Sequence, residues 1–301
     1  MSGASKPGFR CGTIAVVGRP NVGKSTLVNA LVGQKVTITS SKPQTTRYRI
    51  TGILTRPGRQ YVFVDTPGFQ TYEGGVLNRL LNRAVQHALA GVDAVLLVVE
   101  AGRFGDEDRA VVRLLPAGTP VVLAVNKSDL RSRPDEMLPF LERVAKEFPF
   151  VAVVPVSATR QRNLGELLKV LAAHLPEQAA MFDDDAVTDR SERFLAAELV
   201  REKLFRLLGD ELPYGCAVTI DRFEERGRLR RIHAAIIVEK ASHKAIVIGK
   251  AGAKLKAIAS ATRRDLEKLL GGKVFLEVWV KVSRGWTEDQ TALKRLGYEH
   301  A

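Results

Sequence analysis

The sequence predicts a doubly wound α/β domain followed by a smaller α+β domain. In the first half, short and nearly continuous apolar runs alternate with helix-like segments. That is the pattern of parallel strands buried on both faces beneath helices. After Leu175 the rhythm changes to helix, strand, strand, helix, helix, strand.

The predicted strands of the first domain are Thr13–Val17, Tyr61–Val64, Ala94–Val99, Val121–Val125 and Val151–Val154. Between them the helical segments are Lys24–Leu31, Leu77–Leu89, Asp106–Leu115, Asp135–Phe148 and Leu164–Leu175. Pro176 stops the last of these, and acidic Phe182–Asp189 reads as a linker, giving bounds of 1–180, 181–190 and 191–301. The second domain opens with a helix, Glu192–Leu208, and a turn at Pro213–Gly215. Strands Ala217–Phe223 and Leu229–Glu239 turn around Gly227, and a short helix from Ser242 leads into Gly249-Lys250-Ala251-Gly252. A longer helix (Lys254–Leu270), a strand (Val274–Val282) and a helical segment from Thr287 complete it.

The 301 residues suffice for two cores, and 45% hydrophobic with 26% charged content is that of a globular chain. A net charge of +13 suggests a polyanionic partner, either nucleic acid or an anionic membrane surface. Cys11 and Cys216 lack any ligand or redox spacing and read as reduced, partly buried residues. Neither a signal core in Met1–Arg10 nor a spanning apolar run is present, so the expectation is a cytoplasmic monomer, at most peripheral at the membrane.

Gly18-Arg19-Pro20-Asn21-Val22-Gly23-Lys24-Ser25 fits GxxxxGK[ST] between a strand and a helix. Its backbone N–H groups, continuing to Thr26, can surround the α- and β-phosphates of a nucleotide. Lys24 would reach the β- and γ-phosphates and Ser25 would ligate Mg²⁺. Asp65-Thr66-Pro67-Gly68 ends a strand, where Asp65 can hold Mg²⁺ and the Gly68 N–H can meet the γ-phosphate. Alone it is also ordinary turn chemistry. At the end of the fourth predicted strand lies Asn126-Lys127-Ser128-Asp129. The Asp129 carboxylate can accept from guanine N1–H and its exocyclic amine, whereas adenine would leave a buried Asp129 unsatisfied. Asn126 would hold loop and base, the Lys127 stem would cover the ring, and Ser157-Ala158 would offer an N–H to guanine O6.

Together these motifs resemble the GTPase superfamily over about half the chain. The resemblance implies GTP and GDP as ligands, with Mg²⁺. It makes Pro43-Gln44-Thr45-Thr46-Arg47 the first switch, with Thr46 rather than Thr45 completing the Mg²⁺ shell. Catalysis is expected from Asn21, Lys24, Thr46 and Gly68. Ras-like proteins place a water-orienting glutamine where this chain has Phe69, which cannot hydrogen-bond to water. Asn21 with the switch backbone is therefore expected to hold K⁺, as in related proteins.

Gly249-Lys250-Ala251-Gly252 in its α-β-β-α-α-β setting resembles a type II KH domain. Ile248, Gly249, Lys250, Ala251, Gly252 and Lys254 are the expected RNA contacts, with Ile246 and Lys244 beside them. Between Arg222 and Arg264 cations far outnumber the acids Glu224, Glu225 and Glu239.

A P-loop GTPase domain with PQTTR and DTPG followed by a KH domain resembles the bacterial Era family over nearly the whole chain. Arg231-Ile232-His233-Ala234, Ile248–Lys256 and the ending Leu296-Gly297-Tyr298 fit closely; Gln70 and Ala259 depart from the family pattern. The resemblance implies binding to the 3′ region of 16S rRNA, a role in 30S subunit assembly and 16S rRNA maturation, and nucleotide control of RNA access. The competing readings are a membrane-surface regulator, an RNA-modifying GTPase (for which no second catalytic constellation is present) and a GTP binder without turnover.

Overall fold

The structure is a computed structural model and describes residues 8–71, 75–130, 134–209 and 212–298. The residues outside these ranges include Met1–Pro7, which the signal-peptide and first-domain readings cover, and the end of the 191–301 range.

The first domain runs β1 (Arg10–Val17), α1 (Lys24–Val32), β2 (Ile50–Arg56), β3 (Arg59–Asp65), α2 (Gly75–Leu89), β4 (Ala94–Glu100) and α3 (Asp106–Val112). It continues through β5 (Val121–Asn126), α4 (Pro134–Ala145), β6 (Ala152–Pro155) and α5 (Leu164–Ala172). The sheet order is β2-β3-β1-β4-β5-β6, parallel except for antiparallel β2. Central strands β4 and β5 are buried on both faces, as their apolar runs require. One face packs against α1 and α5 and the other against α2, α3 and α4.

Strand β2 is an addition to the sequence reading. Its Gly52 and flanking threonines dilute the apolar signal, and it forms a hairpin with β3 around Pro57 and Gly58. At Gly52 a Cβ would come within 2.8 Å of Val28 on α1, so the absent side chain lets that helix close on the strand. The acidic segment read as a linker lies along this edge. Val187 accepts from the Ile53 N–H at 2.9 Å, and the Thr51 hydroxyl donates to Asp189 at 3.0 Å.

The second domain consists of α6 (Glu192–Leu207), β7 (Cys216–Arg226), β8 (Leu229–Val238), α7 (Ala241–Ile248), α8 (Ala253–Leu270), β9 (Lys273–Val282) and α9 (Gln290–Arg295). Ser191 caps α6 by accepting from the Phe194 N–H. The last helix starts at Gln290 rather than Thr287 because Asp289 supplies its cap, accepting from Thr291 N–H at 2.8 Å. The sheet order is β7-β8-β9, antiparallel then parallel, with one face covered by α6, α7 and α8. Both cysteines are fully buried, beyond the partial burial expected. Among the described residues no helix is long and apolar enough to cross a membrane.

The domains meet in a shared apolar cluster: Leu77 and Leu81 of α2, Ala217 of β7, Trp286, Leu293 and Tyr298. A second contact is ionic. Glu202 of α6 is fully buried and receives Lys35 at 2.6 Å, Lys203 at 3.0 Å and the Thr39 N–H at 3.1 Å. Burial works against its charged form, but these donors win and hold the carboxyl below its usual range.

Candidate functional site

The site lies at the carboxyl ends of β1, β3, β5 and β6, where a doubly wound sheet places its ligands. Between β1 and α1 the loop turns through three positive-φ residues: Gly18 (153°), Asn21 (64°) and Gly23 (99°). A Cβ on Gly18 would come within 2.3 Å of the Val98 carbonyl, and one on Gly23 within 2.4 Å of the Asn126 amide. Glycine is thus required at both positions by contact as well as by conformation.

Lys24 is buried and its ammonium donates to the carbonyls of Gly18 (2.9 Å) and Arg19 (3.0 Å), which fixes it within the loop. Burial, with Arg19 nearby, lowers its pKa to about 8 against the opposing pull of Asp65. Arg19 contributes its main chain to the loop. Its guanidinium is held by Asp108 of α3 at 3.2 Å and Glu100 at 3.4 Å.

Three residues expected around the metal converge. The Ser25 Oγ donates to Asp65 at 2.8 Å and lies 2.7 Å from Thr46 Oγ1. Thr37, which the sequence reading missed, also donates to Asp65, at 3.0 Å. By contrast the Thr45 hydroxyl turns to the Lys42 carbonyl at 2.7 Å and to Ser40. Of the two threonines, it is Thr46 whose hydroxyl faces Ser25. Asp65 is fully buried, its Oδ1 has no partner, and burial raises its pKa to about 6. An orphaned carboxylate oxygen among hydroxyls is a hard-oxygen donor set, and it fits a divalent cation such as Mg²⁺.

Gly68 lies against the phosphate loop, where an added Cβ would be 2.8 Å from both Cα and N of Pro20. Gly68→Ala must push the segment from Asp65 to Phe69, the second switch in the GTPase resemblance, off the loop. Turnover is expected to fall on the order of 100-fold, the usual effect of losing one positioned N–H donor, while GDP affinity is kept. Parallel phosphate-release and GDP-titration measurements check this; unchanged turnover would contradict it. Phe69 is partly buried against the core on the α2, α3 and α4 side of the sheet. Gln70 is pinned by Asn82, and Gln44 of the first switch donates to Gln70 (3.1 Å) and Asn78 (2.9 Å). Both switch segments are thereby tied together over the loop.

At the base end, the Asn126 amide donates to the Val22 carbonyl at 2.9 Å and its oxygen accepts from the Ala158 N–H at 3.1 Å. One side chain thus joins the phosphate loop, the β5 end and the β6 end. Asp129 is half-buried rather than buried and accepts from the Ser157 hydroxyl at 2.5 Å, which orients its carboxylate. Lys127 (φ 62°) reaches Glu100 at 2.9 Å, so Glu100 links the base loop to Arg19. Glu100 carried no sequence signal, being the polar end of an apolar strand. Burial opposes its charge, but Lys127 and Arg19 hold it below the usual range.

In the second domain Gly249 (φ 72°), Ala251 (φ 48°) and Gly252 (φ 77°) shape the turn between α7 and α8. A Cβ on Gly249 would lie 2.7 Å from Cβ of Lys254, so the loop closes tightly on the start of α8. Lys250 is exposed on it. Ile246 is 46% exposed and Ile248 is partly buried against the core, so of the two only Ile246 offers a substantial free surface.

The family model for a 50S ribosome-binding GTPase matches residues 13–127, and that for a KH domain matches residues 211–287. GTPase Era of Nitrosomonas eutropha is 53% identical over 98% of this chain and 100% of its own length. The chain belongs to the Era family. Era of Chromobacterium violaceum is 54% identical, covering 97% of this chain and 98% of the relative. A solved Era variant from Aquifex aeolicus bound to GDP·AlF4⁻ is 36% identical, with a TM-score of 0.93 over 96% of this chain and 99% of that one. An Era structure in complex with MgGDPNP and nucleotides 1506–1542 of 16S ribosomal RNA is also 36% identical, with a TM-score of 0.92 over 96% and 99%. Like its Era relatives, the chain is a GTP-binding, GTP-hydrolysing enzyme with a C-terminal KH domain.

Proposed function

We propose that this GTPase binds the 3′ region of 16S rRNA through its KH groove and acts as a nucleotide-controlled factor in assembly and maturation of the 30S subunit. The observation that carries this reading is the continuity between Thr46 and Arg47. The Thr46 hydroxyl lies 2.7 Å from Ser25 in the nucleotide site. The next residue, Arg47, is fully buried in the second domain. Its guanidinium donates to the carbonyls of Cys216 (3.1 Å), Tyr214 (2.8 Å) and Pro213 (3.4 Å) and to the Tyr298 hydroxyl (3.3 Å). Tyr48 then stacks on Tyr298 at 4.9 Å. A shift of Thr46 on loss of the γ-phosphate must act on this latch, and through it on the presentation of the KH domain. The solved Era complex with a 16S rRNA segment supports the choice of RNA.

In this reading Ser25, Thr46 and Asp65 hold Mg²⁺, which would neutralise charge on the β- and γ-phosphates. The backbone of Gly18 to Thr26 binds the phosphates, with Lys24 placing its charge beside them. Gly68 contacts the γ-phosphate, and Asn126, Lys127, Asp129, Ser157 and Ala158 enclose guanine. Thr66 and Pro67 shape the second switch; the Thr66 hydroxyl donates to the Val16 carbonyl at 2.8 Å. Gly249 to Gly252 and Lys254 contact the RNA backbone, with Ile248 at the base of the apolar groove beside them.

Asn21 is exposed and lines the same cleft as Phe69, Gln44 and Gln70, the two glutamines being held by each other, Asn78 and Asn82. Its amide oxygen with switch carbonyls is suited to K⁺. Turnover is expected to be about ten-fold faster in K⁺ than in Na⁺, a cation effect of electrostatic kind. Asn21→Ala removes the difference; equal rates for the parent chain in both salts would rule out the role.

Lys24 gives a pH signature. Its pKa of about 8 in the free site leaves it partly neutral at pH 8. Bound phosphates favour the charged form, so its pKa rises and a proton is taken up. Calorimetry of GDP binding at pH 8, in two buffers of different ionisation heat, should show uptake of a fraction of a proton. The Lys24 share of the uptake should vanish towards pH 6, where Lys24 is already charged and Asp65, with its pKa about 6, titrates instead. Identical heats in both buffers at pH 8 would contradict the assignment.

The function itself is tested by crosslinking the full chain to isolated 30S subunits with GTP analogue or GDP, mapped at nucleotide resolution. Contacts between the GKAG loop and the 16S 3′ end, stronger with analogue, are the expected result. Crosslinks spread over the subunit, independent of nucleotide, would overturn it.

A further inference from the structure

The KH sheet has two faces. The even-numbered side chains of β9, such as Val274 and Val280, pack beneath α7 and α8. Odd-numbered residues point the opposite way, as strand alternation demands. At one end of that outer face, Ala217 and Ile237 are covered by the domain–domain cluster. From the other end a row of side chains in mutual contact runs along β9 as far as Lys281, the register partner of Ile237. The Arg231 guanidinium sits 5.3 Å from the Phe275 ring centre, and His233 lies 6.2 Å from Phe275 and 6.0 Å from Trp279. The Lys281 ammonium then sits 5.5 Å from the Trp279 ring. Phe275 is 45% exposed, unusual for a large apolar ring.

We propose that this row is a second RNA-contacting surface, on which nucleotides flanking those in the GKAG groove stack. The proposal rests on the RNA-binding reading of the KH domain. Aromatic rings interleaved with cations are what a single strand needs, because every base has a stacking face and every linkage a negative charge. The face is continuous with the groove: β9 is the sheet edge and packs against α7 and α8. A strand leaving the groove over that edge meets Phe275 and Trp279 on the other side. The carboxylates on this face all have partners on the same face, two of them cations and one an imidazole. Asp221 takes Lys281 at 2.7 Å, Glu277 lies 3.4 Å from His233, and Glu224 is paired with Arg222. Arg231 and its neighbours thus present a surface that does not repel a polyanion.

The test uses the full chain with GTP analogue and two RNAs: an oligonucleotide of about four residues, enough for the GKAG loop alone, and the segment of nucleotides 1506–1542. Phe275→Ala is expected to weaken the long RNA about five-fold or more and to leave the short one unchanged, with Phe275→Tyr restoring affinity. The long RNA alone should quench tryptophan fluorescence, and Trp279→Phe should abolish the quench. Parent-like binding of both RNAs by Phe275→Ala, or equal weakening of both, would overturn the proposal. Lys250→Glu is the control for the groove. If it leaves short-RNA binding intact, the groove reading fails and the continuity argument with it. If it weakens the short RNA while Phe275→Ala affects neither, only the sheet surface is refuted.

Discussion

Replacing Arg47 with Ala is expected to uncouple the two domains while leaving nucleotide binding nearly intact. The guanidinium is fully buried and its acceptors are three carbonyls and a phenol, with no carboxylate among them. Its removal strands several buried acceptors at once, weakening the domain contact by about 2–4 kcal/mol. Lys is no substitute, since one ammonium cannot span the acceptors that the planar fork reaches. The Tyr48–Tyr298 stack and the Glu202–Lys35 pair persist, so the chain should stay folded. Calorimetric scanning should show the melting transitions drawing apart, and the response of RNA binding to nucleotide should be largely lost. A parent-like melting profile with nucleotide response preserved would show that Arg47 is not the latch.

The second large effect concerns the base. Asp129→Asn replaces one carboxylate acceptor with an amide donor opposite the exocyclic position of the purine. Guanine offers an amine there, so two donors would face each other. Loss of GTP affinity on the order of 100- to 10,000-fold is expected, as for sites left with unpaired polar groups. Xanthine carries an oxygen at that position and restores the pairing, so XTP should bind and be hydrolysed. Ser157, which donates to Asp129 at 2.5 Å, can equally donate to the amide oxygen, so the loop is preserved. Competitive titration with GTP and XTP checks this. Unchanged preference for GTP would remove Asp129 as the selector.

How much of this was legible in the sequence depends on how far each signal had to travel. Central strands such as Val121–Asn126 announce themselves because burial on both faces forbids polar residues. The phosphate loop is legible because glycines at Gly18 and Gly23 answer a steric demand made locally and by the next strands. Strand β2 is hidden in the sequence because it is an edge strand in which Gly52 serves α1 packing, Thr51 bonds to Asp189 and Thr55 accepts from Gln60. Thr37 was missed because nothing separates it from its neighbouring threonine and serines until the fold brings it to Asp65. Arg47 belongs to a switch motif, yet its role is invisible in the sequence: its partners lie 166 to 251 positions away. Local chemistry can be read from sequence, whereas coupling between domains is written in long-range pairs.

The measurement that bears most directly on the account is the equilibrium affinity of the full chain for the 16S rRNA segment of nucleotides 1506–1542, with GTP analogue and with GDP. Tighter binding in the analogue state, by about ten-fold or more, is expected if Thr46 and Arg47 transmit the γ-phosphate to the KH domain. Equal affinity in the two states would contradict that coupling.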